Sequence, residues 1–514
     1  MAAANAACRR GKPPPLAGEL VDATLLSGHR LRGGPLPRGS NARPLDVLIV
    51  GAGAAGLSAA WRLRGAGLDD FAVCELDPEV GGTARSGRNA HTAYPWGAHY
   101  LPAPLSTKGP VSRLLRELGV MSAEGTFSEA ALIREPEERV YYRGTWYEGL
   151  YLRAGASPDD LAQLERFEKK MEALAAARDA KGRRAFTVPV AACSDDAEWT
   201  QLDQLSMAQW LEREGFTSQR LLWLVDYACR DDYGATAAGT SAWAGLWYFT
   251  ARLHHAGFLS WPEGNGRLIA QLASSAGAER LLRGLLVHAL ERNDSGWLVH
   301  AVNGRGEPTA FQARQVVLAC PRFVAARLVD GVSATAFRYS PWVVANLSLK
   351  GLPRSRGFPL AWDNVLYGSK SLGYVVATHQ RARASDAGPT VFTWYYPLTG
   401  DDPRYERERL LATTRDDWEA VVRADLWPAH QDLGDLVERL DVMRWGHAMV
   451  RPYPGFIWGP ERRAAAEPRF GSLHFAHSDL GGLALFEEAC HHGVRAAEAA
   501  LGGLGRTAES WLES

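Results

Sequence analysis

Three glycines and an acid stand at the spacing that a dinucleotide-binding turn requires. Gly51, Gly53 and Gly56 follow the apolar run 46–50, which predicts a buried parallel strand, and the small residues after them predict a helix. Gly51 permits a tight turn, Gly53 lets the backbone approach a pyrophosphate, and Gly56 lets helix and strand pack closely. Ala55 lies in the first turn of that helix, whose unpaired N–H groups attract phosphate. The predicted chemistry is the binding of a dinucleotide through its phosphates.

A second apolar strand, 71–75, ends on an acid about 20 residues after the glycines. Glu75 is predicted to accept hydrogen bonds from a ribose diol, and Leu76, next in the chain, is also a candidate cofactor-binding residue. Strand, glycines, helix, second strand and acid all occur in register, which argues against a glycine-rich turn of an unrelated α/β protein. These residues alone do not distinguish NAD from FAD.

Two stretches that follow the acid indicate which dinucleotide binds. They run Gly81-Gly82-Thr83-Ala84-Arg85 and Trp96-Gly97-Ala98-His99-Tyr100. With the glycine turn, they resemble the extended signature of the flavin amine oxidase and phytoene desaturase superfamily. The resemblance implies that Gly82, Thr83 and Arg85 run along the FAD phosphates and ribityl chain, where Arg85 would neutralise charge. It also implies that residues 97–100 lie beside the isoalloxazine ring, although Trp96 stands where the family commonly has an acid.

The resemblance returns in later parts of the chain and covers most of residues 46–502. Val287 matches the family's contact to the adenine side, and Asp479 matches the acid that binds the ribityl–pyrophosphate region. Leu485 and Phe486 stand at the start of the family's closing helix, which points at the flavin. No cysteine stands where covalently flavinylated members carry theirs, so the resemblance implies a non-covalent FAD.

The predicted fold class is α/β, or α+β overall, with a Rossmann-type FAD-binding domain assembled from separated segments and a mixed sheet-and-helix substrate domain. Helix signals dominate the first substrate segment, as in Ser157-Pro158-Asp159-Asp160, and strand-like alternation dominates the second. The predicted parts are an extended N-terminal arm at 1–45, an FAD-binding domain at 46–109, 251–330 and 451–505, and a substrate-binding domain at 110–250 and 331–450.

Aromatic residues are the best sequence clue to a substrate pocket. Trp394 and Tyr396 are two residues apart in a predicted strand and therefore share a face, which suits an apolar chain or a neutral amine. His447 is a candidate proton acceptor, because the resemblance places its region next to the flavin. Ordinary core packing for the aromatic residues, and a structural role for His447, are open alternatives.

Two positions depart from the pattern of the monoamine-type amine oxidases. Leu485 stands where they carry a tyrosine of an aromatic cage. Asn346 stands near the place of a lysine that orders water at the flavin, and the nearest lysine is Lys350. Both departures weaken an amine-oxidase assignment and leave FAD binding untouched.

Composition excludes several other classes of function. The net charge of −1 gives no field that would attract nucleic acid, and no apolar run is long enough to predict a membrane-spanning helix. Adjacent histidines at 254–255 and 491–492 make poor chelates, so no metal site is predicted.

Small residues precede Cys8, as at a lipoprotein cleavage site, but the apolar region of a leader is missing. A cytoplasmic and a periplasmic or lipid-anchored location therefore both stay open.

The predicted activity is transfer of a hydride from an organic small molecule to flavin N5, with O₂ or another acceptor reoxidising the flavin. The leading hypothesis is an amine or amino-acid oxidase or dehydrogenase. A desaturase or isomerase of an isoprenoid or other apolar substrate is the alternative, and a flavoprotein with a binding or assembly role is a third.

Overall fold

The computed structural model describes residues 15–21, 25–253, 255–380 and 388–512. Cys8 and His254 lie outside the described residues. Within them the chain forms the mixed α/β fold that the sequence predicts, with helices and sheets in packed layers. No helix of this described part is both long and apolar enough to cross a membrane.

The helices are as follows in chain order: α1 (Leu25–His29), α2 (Ala54–Gly65), α3 (Gly109–Glu117), α4 (Pro158–Ala176), α5 (Ala197–Thr200), α6 (Met207–Arg213), α7 (Gln219–Tyr233), α8 (Ala242–Thr250), α9 (Gly266–Ala276), α10 (Arg322–Leu328), α11 (Pro403–Ala412), α12 (Arg415–Leu426), α13 (Leu433–Leu436), α14 (Pro460–Ala464) and α15 (Phe486–Gly503).

The strands are as follows in chain order: β1 (Leu20–Val21), β2 (Ala42–Val50), β3 (Phe71–Cys74), β4 (Ser86–Arg88), β5 (Ala93–Pro95), β6 (Tyr100–Pro102), β7 (Glu138–Tyr142), β8 (Thr145–Glu148), β9 (Phe258–Ser260), β10 (Leu281–Leu282), β11 (Leu285–Asn293), β12 (Gly296–Asn303), β13 (Pro308–Leu318), β14 (Tyr339–Leu349), β15 (Asp363–Leu366), β16 (Gly373–Val376), β17 (Thr390–Pro397), β18 (Val437–Val450) and β19 (Leu473–Phe475).

A seven-stranded sheet carries the glycine turn. Its order is β10-β3-β2-β13-β12-β11, and β19 pairs with β13. β2 runs parallel to both β3 and β13, and β13 runs parallel to β19, whereas β11 to β13 form an antiparallel meander. The carboxyl ends of three strands from distant parts of the chain therefore meet at one edge of the sheet. Ligands of open α/β sheets bind at such an edge.

An eight-stranded sheet, in the order β1-β18-β14-β17-β16-β15-β7-β8, forms the second layer. One of its faces packs on α11 and α12 through an apolar cluster that includes Trp418 and Val422. Its opposite face carries a second cluster that includes Trp362, Tyr395 and, from α7, Tyr227. This second face looks toward α7 and is the one that can line a site between layers.

The helix-start signals read from the sequence are confirmed at α4. The Ser157 side chain accepts a hydrogen bond from the Asp160 backbone, and the Asp160 carboxylate accepts one from the Ser157 backbone. This reciprocal pair satisfies two backbone donors that would otherwise lack partners. The start of α4 at Pro158 agrees with the sequence.

The N-terminal segment is more regular than the extended arm predicted for residues 1–45. β1 adds a parallel strand to the edge of β18, with Leu20 opposite Val442. The short helix α1 follows, and β2 begins at Ala42 rather than at Asp46. Without β1, this edge of β18 would offer unpaired backbone groups, so a nearby chain segment gains hydrogen bonds by pairing with it.

The closest packing between helices joins α2 to α15. A Cβ added at Gly493 would collide with the carbonyl oxygen of Ala55, so these two helices touch through their backbones. The neighbouring residues at the contact, Ala59 and Ala497, are fully buried. Only glycine at 493 permits this approach.

We expect Gly493→Ala to lower the free energy of unfolding by about 1–3 kcal/mol, because the methyl group must push α2 and α15 apart. The matched control is Gly502→Ala in the same helix, where an added Cβ meets nothing within 4 Å. That control should be neutral, or stabilising by up to about 1 kcal/mol from helix propensity. Denaturant unfolding of both variants measures the difference, and equal stability of the two would contradict the packing argument.

Candidate active site

The glycine turn after β2 is held by backbone contacts. Gly51 has φ of +104°, and a Cβ there would lie 2.5 Å from the carbonyl oxygen of Ala319. A Cβ at Gly56 would collide with the carbonyl oxygen of Gly51. Gly53 differs, because a Cβ there would meet no protein atom within 4 Å. Two glycines are thus required by the fold, and the third borders open space.

That open space lies at the amino end of α2. Gly53 is the N-cap residue and has no side chain to accept from the first N–H groups of the helix. Ala55, in the first turn, is buried against α15 and leaves the helix end free. Unpaired helix N–H groups beside open space are suited to a pyrophosphate. The turn therefore fits the phosphates of a dinucleotide.

Glu75, which directly follows β3, stabilises the glycine turn through hydrogen bonds. Its carboxylate accepts hydrogen bonds from the backbone N–H of Ala52 at 2.7 Å and of Asp77 at 2.8 Å. Burial raises the pKa of Glu75, and these backbone bonds oppose that rise. Leu76 follows on the side that faces α1. Val287 is buried on β11, whose first residue, Leu285, donates its backbone N–H to the Glu75 carbonyl at 2.8 Å.

The stretch that begins at Gly82 is hydrogen-bonded to the stretch that begins at Gly97. Gly82 has φ of +56° and opens a short turn in which the Thr83 carbonyl accepts from the Ala98 backbone at 3.0 Å. A Cβ at Gly97 would collide with that same carbonyl oxygen. The structure therefore brings the two predicted stretches together.

Arg85 is held among groups that the sequence did not single out. It forms an ion pair with Asp77 at 3.1 Å and lies over the Trp445 ring at 5.1 Å. The Trp445 indole N–H donates to the Trp96 carbonyl at 2.6 Å. Trp96, at the position of the family's acid, thus ties the stretch to β18 through its backbone.

Asp479 is fully enclosed and accepts several hydrogen bonds. One carboxylate oxygen accepts from the Tyr339 hydroxyl at 2.5 Å and the Arg322 backbone at 2.9 Å, and the other lies 2.9 Å from His477. Burial acts to raise the pKa of Asp479, but His477 and the bond from Tyr339 outweigh it and lower the pKa overall. Asp479 is therefore a firmly ionised acceptor, as a site for sugar hydroxyls requires.

His447 lies in the surroundings of Asp479. Its ring stacks on Phe323 at 4.1 Å and meets Tyr339 edge-on at 5.7 Å. Burial and the nearby charge of Arg407 lower the pKa of His447 to about 3. Its imidazole is therefore neutral at ordinary pH.

The closing helix, α15, begins shortly after Asp479 in the chain. Leu485 is its N-cap residue and offers no side-chain acceptor to the helix N–H groups, and Phe486 is buried in the first turn. The amino end of α15 therefore resembles that of α2 in having unpaired donors.

Trp394 and Tyr396, which the sequence predicts to line a substrate pocket, pack into the apolar cluster on α12 in this structure. They share a face as predicted, with ring centroids 5.3 Å apart, but that face packs on α12. Trp394 is fully buried, and its indole N–H donates to Asp425 at 2.7 Å. Alternation along β17 instead turns the intervening Tyr395 to the other face of the sheet.

A cavity lies where that other face meets α7 and α8. Its wall is aromatic and acidic. The lining residues are His99, Tyr100, Glu138, Leu150, Tyr227, Asp231, Tyr248, Phe258, Trp362, Asp363, Leu372, Val375 and Tyr395. His447 is not among them, whereas His99 and Tyr100 join the cavity to the predicted flavin stretch.

His99 contributes no charge to this cavity. Its ring stacks on Tyr395 at 4.7 Å, and the Tyr395 hydroxyl donates to the Gly97 carbonyl at 2.9 Å. Burial lowers the pKa of His99 to about 3. The imidazole is therefore a neutral aromatic surface.

Three carboxylates face the cavity, and sequence reasoning missed all of them. Burial raises the pKa of Glu138 to about 8 and that of Asp231 to about 7, and it raises the pKa of Asp363 well above its ordinary range. In the described part of the chain, none of the three forms an ion pair with a lysine or arginine. Buried acids with no opposite charge beside them are costly, which makes these three candidates for a functional site.

Asn346 anchors the same region from β14. Its side chain donates to the Pro95 carbonyl at 3.1 Å and accepts from the Thr393 hydroxyl at 2.7 Å. Lys350 is exposed to solvent on the far side of the strand's end. Asn346 therefore holds the backbone that leads to residues 97–100.

Comparison with known proteins agrees with this geometry. Residues 54–501 match the profile of the family described as flavin containing amine oxidoreductase. Among solved structures, putrescine oxidase bound to putrescine is 17% identical, with a TM-score of 0.66 over 90% of this chain and 100% of that one. Cyclohexylamine oxidase from Brevibacterium oxydans IH-35A is 16% identical, with a TM-score of 0.63 over 90% and 100%.

A fatty acid isomerase from P. acnes is also similar, at 15% identity and a TM-score of 0.61 over 88% of this chain and 98% of that one. No curated protein matches the sequence significantly. The structural likenesses show a shared fold, and the profile match covers most of the chain. The chain therefore belongs to the flavin-containing amine oxidoreductase family and is an FAD-dependent oxidoreductase.

Proposed function

We propose that this oxidoreductase oxidises an amine that its cavity recognises by positive charge. The observation that supports the proposal is the convergence of Glu138, Asp231 and Asp363 on one cavity that no lysine or arginine lines. An alkyl amine is an ammonium ion at neutral pH, by analogy with the lysine side chain. It supplies the opposite charge that these carboxylates lack within the described residues.

The cavity chemistry disfavours the other substrate classes considered from the sequence. An amino acid would bring a carboxylate of its own, which would further disfavour ionisation of the three acids and find no opposite charge among them. An isoprenoid or other apolar chain would leave the acids desolvated and without partners. Of the classes considered, an amine fits the charge of this wall best.

The aromatic residues of the cavity suit the rest of such a substrate. The Trp362 ring lies 5.4 Å from His99 and 5.8 Å from Tyr100, and Tyr395 closes the same wall. Ring faces attract ammonium groups and pack against methylenes. The wall can therefore hold both ends of an amine while excluding water.

The carboxylates can also take up the proton that an ammonium ion must lose before oxidation. An acid whose pKa is raised to about 7, as for Asp231, exchanges protons readily at neutral pH. FAD, when bound, supplies the two-electron acceptor for a hydride. We propose that the turn 51–56, Glu75, the stretches 82–85 and 97–100, and Asp479 hold it without a covalent bond.

An amine should reduce the bound flavin of the purified protein. We expect loss of the absorbance near 450 nm on anaerobic addition of alkyl or aralkyl amines, with no loss on addition of amino acids of similar length. Stopped-flow absorbance measures the rate. Reduction by dithionite but by no member of a broad amine panel would contradict the proposal, and reduction by an unsaturated lipid instead would favour the apolar-substrate alternative.

Gly53→Val should separate cofactor binding from folding. Gly53 has φ of −74°, which valine can adopt, and its open side means that the new side chain enters the phosphate space without meeting protein. We expect at least about tenfold weaker FAD binding by flavin fluorescence titration, because the backbone can no longer approach the pyrophosphate. The Tm of the FAD-free protein should stay within about 2 °C.

Gly56→Ala is the contrasting control, because its Cβ collides with the Gly51 carbonyl and should destabilise the FAD-free protein as well. Wild-type FAD affinity in Gly53→Val would show that the phosphates do not lie at this turn.

A further inference from the structure

We propose that residues 25–38 form part of the FAD site and that Arg32 supplies positive charge to the cofactor phosphates. The family profile begins at residue 54, so the family match assigns no role to this segment. The proposed role rests on the placement of the dinucleotide at the glycine turn, and it holds whatever substrate the enzyme oxidises. Contacts and charge along the segment support it.

The first part of the segment lies beside the acid at the end of β3. A Cβ at Gly28 would lie 3.7 Å from the Leu76 side chain, and Leu76 follows Glu75 directly. Leu31 packs against the apolar cluster that includes Val287, the predicted contact to the adenine side. The segment therefore borders the place that the sequence predicts for the adenine and its ribose.

A hydrogen bond joins the segment to the strands around the same acid. The Arg30 side chain donates to the Asn303 carbonyl at 3.2 Å. Asn303 is the β12 partner of Leu285, and the Leu285 backbone N–H donates to the Glu75 carbonyl at 2.8 Å. Arg30 is therefore linked, through one pair of strands, to the residue that is predicted to bind the ribose.

Positive charge gathers where the segment approaches β18. Burial is the largest cause of the lowered pKa of His447, and the charges of Arg407 and Arg32 lower it further. The charge of Arg32 also lowers the pKa of Arg407, after burial and the charge of Arg404. Arg32 is exposed and forms no ion pair within the described residues. Because Arg32 and Arg407 repel each other, an anion bound near them would relieve that repulsion.

His447 lies between these charges and the acid that is predicted to bind the ribityl–pyrophosphate region. Its ring meets Tyr339 at 5.7 Å, and the Tyr339 hydroxyl donates to Asp479 at 2.5 Å. The Arg407 side chain donates to the Tyr339 carbonyl at 3.2 Å. The cations therefore lie near the part of the site that is predicted to hold the phosphates.

The predicted phosphate-binding groups carry little free charge of their own. The glycine turn contributes backbone N–H groups, and Arg85 is paired with Asp77 at 3.1 Å. A pyrophosphate is negatively charged at neutral pH, and a guanidinium group binds phosphate oxygens through charge-assisted hydrogen bonds. Arg32 can therefore supply a charge that the glycine turn and Arg85 do not.

Substitution of Arg32 tests this role on the full chain. We expect Arg32→Gln to weaken FAD binding by at least about fivefold in a flavin fluorescence titration, because a charge-assisted contact is lost. The affinity of the variant should also fall less steeply with added salt than that of the wild-type protein, because salt screens exposed charges. Since Arg32 is exposed, the Tm of the FAD-free variant should stay within about 2 °C of the wild-type value.

The matched control is Arg38→Gln. Arg38 belongs to the same segment, but it is paired with Glu291 of β11, so its loss should change FAD affinity by less than about twofold. Equal losses of affinity in both arginine variants would reflect surface charge in general and would overturn the role of Arg32.

Comparison with Gly53→Val separates this role from the placement of the cofactor. Wild-type affinity and salt dependence in Arg32→Gln, together with weak binding in Gly53→Val, would overturn the role of Arg32 and leave the placement intact. Wild-type affinity in both variants would overturn the placement at the glycine turn and, with it, the role of Arg32.

Limited digestion of the wild-type protein with trypsin gives a second measurement that needs no variant. Bound FAD should slow cleavage after Arg32 by at least about fivefold, because a ligand that contacts a segment stabilises its folded position. Cleavage after Arg354, which is exposed and distant in the chain, is the internal control and should not change. Equal cleavage after Arg32 with and without FAD, measured by mass spectrometry, would overturn the contact between the segment and the cofactor.

Discussion

Backbone-to-backbone contact at the carboxyl end of β2 sets the relative positions of the strands and helices that surround the candidate dinucleotide site. Gly51 lies against the end of β13, Gly56 lies against Gly51, and Gly493 lies against Ala55, so strand, helix α2 and helix α15 meet with no side chains between them. This contact brings the amino ends of α2 and α15 to the same edge of the sheet as Asp479. The polar environment for a dinucleotide is therefore a consequence of three close approaches that only glycine allows.

The local part of this site was predictable and the remote part was not. The turn and Glu75 belong to one strand–turn–helix–strand unit, the two later stretches follow it directly in the chain, and the structure brings the stretches together. Glu138, Asp231 and Asp363 are far apart in the chain. Their meeting depends on the register of β7 with β15 and on how α7 packs over the sheet, and neither can be read from periodicity.

The prediction for Trp394 and Tyr396 shows a second limit of reasoning from sequence alone. Alternation correctly indicated that Trp394 and Tyr396 share a face, but it does not say which face of a sheet looks toward a ligand when both faces are covered. Here α11 and α12 cover one face and α7 approaches the other, so residues on both faces of β17 are buried. Within residues 1–45, β1 is likewise defined by its pairing with β18 and not by its own residues, so no pattern along the chain predicts it.

The two departures from the family's pattern are consistent with a cavity that takes its positive charge from the substrate. Asn346 is neutral, and it uses its hydrogen bonds to hold Pro95 and Thr393 rather than to bring a cation into the sheet. Leu485 removes one expected ring, while Tyr395 and Trp362 provide ring faces beside His99. The cavity carboxylates have no lysine or arginine ion-pair partner within the described residues, so they are unfavourable in the free protein, and such a cost is retained where binding of a ligand removes it.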